Sequence, residues 1–229
     1  MSEFRVDGYD RRKRLLDLAI AVPAGVVLAP LIGAFAAAVK LESRGPVLFR
    51  QKRVGRDGRL FEILKLRTLR DESPAGPADY LIHADDSRIT RVGAFLRRWS
   101  LDELPQVWNI IRGEMSVVGP RPTLQYQVDQ YTPFQRRRLE VLPGVTGWAQ
   151  IHGRNRLTWP QRIEHDVWYV DHRSLRLDLR ILLATPRILL TPRSIYGDAQ
   201  GDWGERAASA SRADEQERRQ PGPRPERPR

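Results

Sequence analysis

Two adjacent carboxylates, Asp102 and Glu103, stand in the run Ser100-Leu-Asp-Glu-Leu-Pro-Gln106, and a Gly119-Pro-Arg-Pro122 turn follows one short amphipathic segment later. Ser100 with Glu103 three positions on fits a capping box, in which hydroxyl and carboxylate each satisfy an orphan backbone N–H. Pro105 disputes that register. With Ser100 as cap the proline falls deep in the first turns, where its ring and missing donor are costly. With Asp102 as cap it falls where the N–H would be unbonded anyway, so Asp102 at or beside the cap is favoured. In either register the acids meet the positive end of the helix dipole, and Arg97, Arg98 and Arg121 add charge that favours their ionised form. Taken alone the tetrapeptide is a cap. An acidic pair with basic residues on both sides points further, to phosphate chemistry with a divalent cation between.

The 229 residues suffice for one domain with a sizeable core and appendages. There is no cysteine, which excludes disulfides and thiolate zinc sites. The four histidines, His83, His152, His165 and His172, lack metal-ligand spacing and read as surface or structural. Net charge is +11, and because the tail from Ala199 onward sets seven arginines against six acids, nearly all of it sits on the body. A body that basic suits a polyanion: nucleic acid, anionic lipid head groups or nucleotide phosphates.

Elements that could position the dyad follow from the pattern. Arg11-Arg-Lys-Arg14 precedes 22 uncharged residues, 18–39, long enough as a helix to cross a hydrocarbon core of roughly 30 Å. Basic residues flank both ends, Arg11 to Arg14 on one side and Lys40, Arg44, Arg50, Lys52, Arg53 and Arg56 on the other, so the positive-inside rule pulls both ends to one face. Pro30, near the middle, then predicts a re-entrant helix hairpin bent at Ala29–Pro30, with a straight single pass as the alternative. Short strands are predicted at 47–49 and 60–66 around an Arg-Asp-Gly turn, and a loop at 71–87. A basic helix is predicted at 90–99, with further helix starts at Thr132-Pro133 and Thr158-Trp-Pro160. Residues 142–155 read as a shaped glycine-rich loop in which Arg154 and Asn155 offer phosphate or sugar contacts. Basic amphipathic helices follow at 163–169 and 175–190, the second broken by Pro186 and Pro192, and the tail reads as disordered. The expected fold is mainly α with a small β element. It comprises a basic segment (1–14), a re-entrant membrane helix (15–41), a cytoplasmic α/β catalytic domain with amphipathic interfacial helices (42–198) and a disordered tail (199–229).

Together, the membrane segment, Lys65-Leu-Arg-Thr68, Arg97-Arg-Trp-Ser-Leu-Asp-Glu-Leu-Pro-Gln106, Val118-Gly-Pro-Arg-Pro122 and Pro143-Gly-Val-Thr-Gly-Trp-Ala-Gln-Ile-His-Gly-Arg-Asn155 resemble the bacterial sugar transferase family. These are monotopic polyprenyl-phosphate sugar-1-phosphate transferases, and the resemblance runs from about Arg12 to about Leu190. It implies attack by Asp102 on the sugar-bearing phosphorus of a UDP-sugar, release of UMP, and transfer of the phosphosugar from the aspartyl enzyme to undecaprenyl phosphate. It implies Mg²⁺ held by Glu103 with Asp102, and phosphate binding at Arg97 and Arg121; Lys65, Arg67, Arg154 and Asn155 join the candidate substrate contacts. The implied place is the cytoplasmic face of the bacterial inner membrane, among anionic lipids and without nucleic acid, and an oligomer is left open. Two departures stand out: Ala29-Pro30 where family members often carry Ser-Pro, and Leu69 where they often carry Met.

Two other classes compete. A non-enzymatic membrane-surface adaptor accounts for the charge and the apolar segment, but has no use for paired acids within a basic surface. A nucleotide-diphosphate-sugar hydrolase uses the same acids with water as acceptor, and gives no reason for the membrane segment.

Overall fold

One long helix runs through both the basic and the apolar N-terminal stretches: α1 (Gly8–Glu42), 35 residues. The computed structural model describes residues 8–70, 86–153 and 157–189. Because α1 begins at Gly8, the basic residues are its first turns rather than a segment of their own. Pro23 and Pro30 lie inside it, so the two expected limbs form one helix, with Ala29 and Pro30 exposed. Each proline removes one backbone hydrogen bond from a helix otherwise rich in Ala, Leu, Val and Ile, a loss that the rest of a run this long sustains.

One stripe of α1 packs against the rest of the molecule. Lys13, Asp17, Ala21 and Gly25 are buried at four-residue spacing, and Val39 is buried near the far end. Leu15, Val22, Val26, Val27 and Leu31 on other faces are exposed. Both ends are fastened by polar groups. At the start, the Tyr9 hydroxyl donates to Asp178 (2.9 Å), and Lys13 bridges Asp17 (3.2 Å) and Asp178 (3.3 Å). At the end, the Glu42 carboxylate accepts from the N–H groups of Arg91 (2.6 Å) and Val92 (2.8 Å).

After α1, β1 (Leu48–Val54) and β2 (Leu60–Leu66) pair antiparallel from Leu48↔Leu66 to Val54↔Leu60. The predicted Arg56–Gly58 turn joins them, with Asp57 and Gly58 at positive φ. β1 outruns its expected three residues because Arg50 and Lys52 point outward in strand alternation, a pattern that an all-polar stretch hides from a hydrophobicity reading. α2 (Arg91–Arg98) starts at Thr90, whose hydroxyl accepts from the Gly93 N–H (2.9 Å). α3 (Gln106–Arg112) follows, then β3 (Ser116–Val118), α4 (Gln125–Asp129) and α5 (Pro133–Arg136). The Thr132 cap forms as read, its N–H donating to Gln135 Oε1 at 2.9 Å.

The stretch expected as an irregular loop carries regular structure: β4 (Gly144–Thr146) pairs parallel with β3, and α6 (Trp148–His152) follows at once. Its glycines serve close approach instead of looseness. A Cβ on Gly144 would lie 2.1 Å from the Gly119 nitrogen, and one on Gly147 would lie 2.2 Å from the Gly119 carbonyl oxygen. α7 (Trp159–His172) and α8 (Leu175–Leu189) complete the fold, and α8 continues through Pro186 instead of breaking there. Most of the predicted 71–87 loop, Pro192 and the tail lie outside the described residues.

Apolar clusters tie these elements together. Val39, Leu66 and Leu96 join α1 to β2 and α2, while Ala21, Ile63, Val107, Ile110 and Met115 join α1 to β2 and α3. Tyr169 and Ile181 pack with Val118 on the far side. Each fully buried aliphatic side chain contributes about 1.5–3 kcal/mol.

Candidate active site

The dyad sits in neither of the expected cap registers. Ser100 adopts left-handed backbone (φ 55°) and turns the chain from α2 into a 3₁₀ turn, Leu101–Glu103, and Pro105 then occupies the cap position of α3. No capping box forms, since the Glu103 carboxylate is taken up elsewhere: Oε1 accepts from Lys65 Nζ (2.8 Å) and from Arg121 Nη2 (2.5 Å), and Oε2 faces Arg121 Nη1 (3.3 Å). A non-glycine residue at positive φ costs on the order of 1–3 kcal/mol, and such positions cluster at functional sites.

Asp102 differs from its neighbour. It is 9% exposed and, among the described residues, its carboxylate accepts no hydrogen bond. Burial pushes its carboxyl above the ordinary range; the charge of Lys65 pulls it down, that of Glu103 pushes it up, and Arg97 and Arg121 pull it down further. Burial would raise Glu103 too, but the charges of Arg121 and Lys65, with their hydrogen bonds, hold it well below its usual value. One acid of the pair is therefore locked ionised, and the other is an unbonded carboxylate with its ionisation set by neighbours.

Each basic partner arrives on a different element. Lys65 projects from β2, whose Leu64 and Leu66 are buried in the core. Arg97 comes from the last turn of α2, its Nε donating to Thr68 Oγ1 at 3.0 Å. Arg121 follows β3 in the turn. Arg67 does not join them: its buried guanidinium donates to the Ser43 and Arg44 carbonyls (2.8 and 2.6 Å) and to the Ser43 hydroxyl (2.9 Å), closing off the end of α1. The expected phosphate contact is thus a helix C-cap. Arg154 and Asn155 lie outside the described residues.

Some positioning groups carry no local signal. Asn109, fully buried, accepts from the Leu64 N–H (3.0 Å) and donates to the Glu62 carbonyl (2.7 Å), which fixes α3 against the strand that presents Lys65. Arg138 donates to the Arg121 carbonyl (2.9 Å), to Asp166 (2.6 Å) and to the Tyr131 hydroxyl (2.6 Å), bracing the turn behind Arg121.

Among the described residues no group of three or more His, Asp or Glu could hold a metal ion. Asp102 and Glu103 nevertheless fit Mg²⁺ chemistry, because that ion uses one or two carboxylates and completes its shell with waters and substrate phosphate oxygens. The described histidines bind nothing of this kind; His152, Trp148, Trp168 and His172 stack in series at centroid separations of 4.0, 4.5 and 4.2 Å. Beside the dyad opens a cavity of about 310 Å³ whose wall includes Glu103, Arg121 and Trp99 with apolar residues of α1 and α3.

The profile described as Bacterial sugar transferase matches residues 8–192. The chain is 43% identical to the uncharacterized sugar transferase EpsL of Bacillus subtilis (strain 168), over 80% of this chain and 89% of the relative. It is 44% identical to the UDP-glucose:undecaprenyl-phosphate glucose-1-phosphate transferase of Caulobacter vibrioides, over 82% of this chain and 73% of the relative. A UDP-N-acetylgalactosamine-undecaprenyl-phosphate N-acetylgalactosaminephosphotransferase of Aeromonas hydrophila is 43% identical over 78% of this chain, though the match spans only 44% of that relative. With an acidic pair framed by Lys65, Arg97 and Arg121 beside a long apolar helix, the chain belongs to the bacterial sugar transferase family.

Proposed function

We propose that this chain transfers a sugar-1-phosphate from a UDP-sugar to undecaprenyl phosphate and so begins assembly of a bacterial surface glycan. The observation that carries the reading is the contrast within the dyad: Glu103 clamped by Lys65 and Arg121, and Asp102 buried beside them without a hydrogen bond. An unbonded carboxylate among three cations is suited to attack a phosphorus centre. Asp102 attacks the sugar-bearing phosphorus, the bond from that phosphorus to the bridging oxygen breaks, and UMP leaves. A phosphate oxygen of the lipid then attacks the aspartyl-bound phosphorus and returns Asp102 as carboxylate. Arg97 and Arg121 orient phosphate oxygens, and Lys65 offsets the charge that accumulates around the dyad. Glu103 and Asp102 would hold Mg²⁺, and the ion would supply charge neutralisation at the diphosphate.

The reaction belongs at a membrane surface. We read α1 as re-entrant, with Ala29 and Pro30 deepest and the catalytic residues on the cytoplasmic face of the inner membrane. Support comes from both ends of α1 being fastened to one domain, and from exposed Arg11 and Arg12 at one end and Lys40 and Arg44 at the other, placed for anionic head groups. α8 adds exposed Leu179 and Leu183 beside exposed Arg176 and Arg180, a face suited to the interface.

The test is UMP release from a panel of UDP-sugars by detergent-purified protein with Mg²⁺ and undecaprenyl phosphate, wild type beside Asp102→Asn. Release that depends on the lipid for sustained turnover and vanishes in the variant is the expected result. Equal activity in the variant removes Asp102 as nucleophile, and lipid-independent turnover makes the protein a hydrolase.

A further inference from the structure

The geometry points to Gln150 as the residue that reads the uracil ring, pairing its carboxamide with the imide edge of the base; the inference rests on the transferase reading above. Gln150 lies on α6, in the wall of the cavity of about 310 Å³ that also exposes Glu103 and Arg121. Both its amide nitrogen and its amide oxygen are buried, and neither has a hydrogen-bond partner among the described residues. The hydroxyls nearby are already used: Thr146 and Thr185 bond each other (2.8 Å), and Thr185 also donates to the Ile181 carbonyl (2.7 Å). The fold also keeps space for this amide, since a Cβ on Gly147 would come within 2.8 Å of Gln150 Oε1. A buried amide left unpaired carries its full desolvation penalty, so a cavity that keeps one is built for a partner that arrives from outside.

That partner must present a donor and an acceptor side by side. Phosphate oxygens of either substrate only accept, which would leave Oε1 unpaired, and an isoprenoid chain offers nothing polar. A hexose offers both, but most of its hydroxyls would face Ala24, Leu28, Val107 and Ile110 across the cavity. Uracil has two apolar faces and one edge where N3–H adjoins a carbonyl, the complement of a carboxamide. With the diphosphate at Arg121 and Glu103, the base falls to the apolar end of the same cavity, where Gln150 supplies two parallel hydrogen bonds.

Equilibrium binding of UMP and of 3-methyl-UMP, which lacks the N3 donor, to full-length protein in detergent tests this, with wild type beside Gln150→Leu and each variant's melting temperature recorded. Wild type should bind UMP about tenfold or more tightly than 3-methyl-UMP, as the loss of a bidentate pair requires. Gln150→Leu should bind both equally at the weaker level while melting no lower than wild type, because it removes an unpaired amide. A variant that binds UMP as wild type does, or melts well below it, overturns the assignment. So does a variant with weaker UDP-sugar binding but unchanged UMP binding, which would give the amide to the sugar. Wild type that binds UMP nowhere near substrate concentrations, and releases none from any UDP-sugar, overturns the transferase reading itself.

Discussion

Two acid–base clusters meet at Arg121 in this fold, and they are built to opposite ends. Arg138 and Asp166 are each 1% exposed by side chain and meet at 2.6 Å, with Tyr131 and the Arg121 carbonyl taking further guanidinium N–H groups. That pair is joined directly, though Arg138 Nε and Asp166 Oδ1 keep no hydrogen-bond partner among the described residues. In the dyad, Glu103 is held by Lys65 and Arg121, but Asp102 next to it accepts no hydrogen bond among the described residues. The backbone of Arg121 links the two: its carbonyl is held by the buried pair, and its side chain holds the dyad. The same residue types thus make scaffold where carboxylate and guanidinium meet directly, and a site for chemistry where a carboxylate is left to the field of its neighbours.

The largest way to break the contrast is Asp102→Asn. Turnover should fall by at least about 10³-fold, as removal of a catalytic nucleophile does, whereas the melting temperature should hold or rise. The sign follows from the raised carboxyl of Asp102: the folded state disfavours its ionised form, so stability falls as pH rises past the ordinary carboxyl value, the loss is complete above the folded value, and the neutral amide removes that cost. Asp166→Ala should do the reverse. It leaves the Arg138 charge buried and unanswered, which costs about 3–5 kcal/mol and lowers the melting temperature by on the order of 10 °C, with activity lost through unfolding. Melting curves of the two variants side by side, with turnover at a temperature where both are folded, separate the two kinds of cluster.

What was legible beforehand followed range in sequence. The turn at Arg56–Gly58 and the caps at Thr132 and Thr158 are readable because the groups that make them lie within a few residues. The dyad and the Arg121 turn were recognisable as motifs, but not their bonding: Glu103 leaves the local capping box for Lys65, 38 residues away, and for Arg121, 18 residues away. The bonding of Arg67 is hidden for the same reason, since its partners Ser43 and Arg44 are 24 and 23 residues back. The β3–β4 pairing was read as loop because glycine was taken as freedom, whereas at Gly144 and Gly147 it allows two backbones to touch. Asn109 and Asp166 had no local pattern to announce them.

A smaller effect sharpens the electrostatics. With Glu103 held well below its usual value, Asp102 is the member of the pair whose ionisation sets the acid limb of the pH–activity profile. Lys65 is the largest influence lowering the Asp102 carboxyl, so Lys65→Met should raise it and move that limb to higher pH, beyond any loss on the plateau. An acid limb that stays in place would mean that a different group controls it.

The smallest expected effect tests whether α1 and the site are joined mechanically. Glu42 ends α1 and caps α2 through the N–H groups of Arg91 and Val92, and α2 delivers Arg97 and leads directly into Ser100 and the dyad. Glu42→Ala leaves two donors at the start of α2 to water and removes a charge that favours the helix dipole, a loss of about 1 kcal/mol. Glu42→Gln keeps an acceptor oxygen and should lose less than half of that. If the cap serves only local stability, both variants lower the melting temperature by a few degrees and leave the substrate concentration for half-maximal rate unchanged. If it positions Arg97, Glu42→Ala also raises that concentration for the lipid phosphate by a few-fold at temperatures well below melting, and Glu42→Gln restores most of it. The second pattern is expected, because among the described residues the Arg97 guanidinium is held by a bond from Nε to the Thr68 hydroxyl and otherwise depends on where α2 places it.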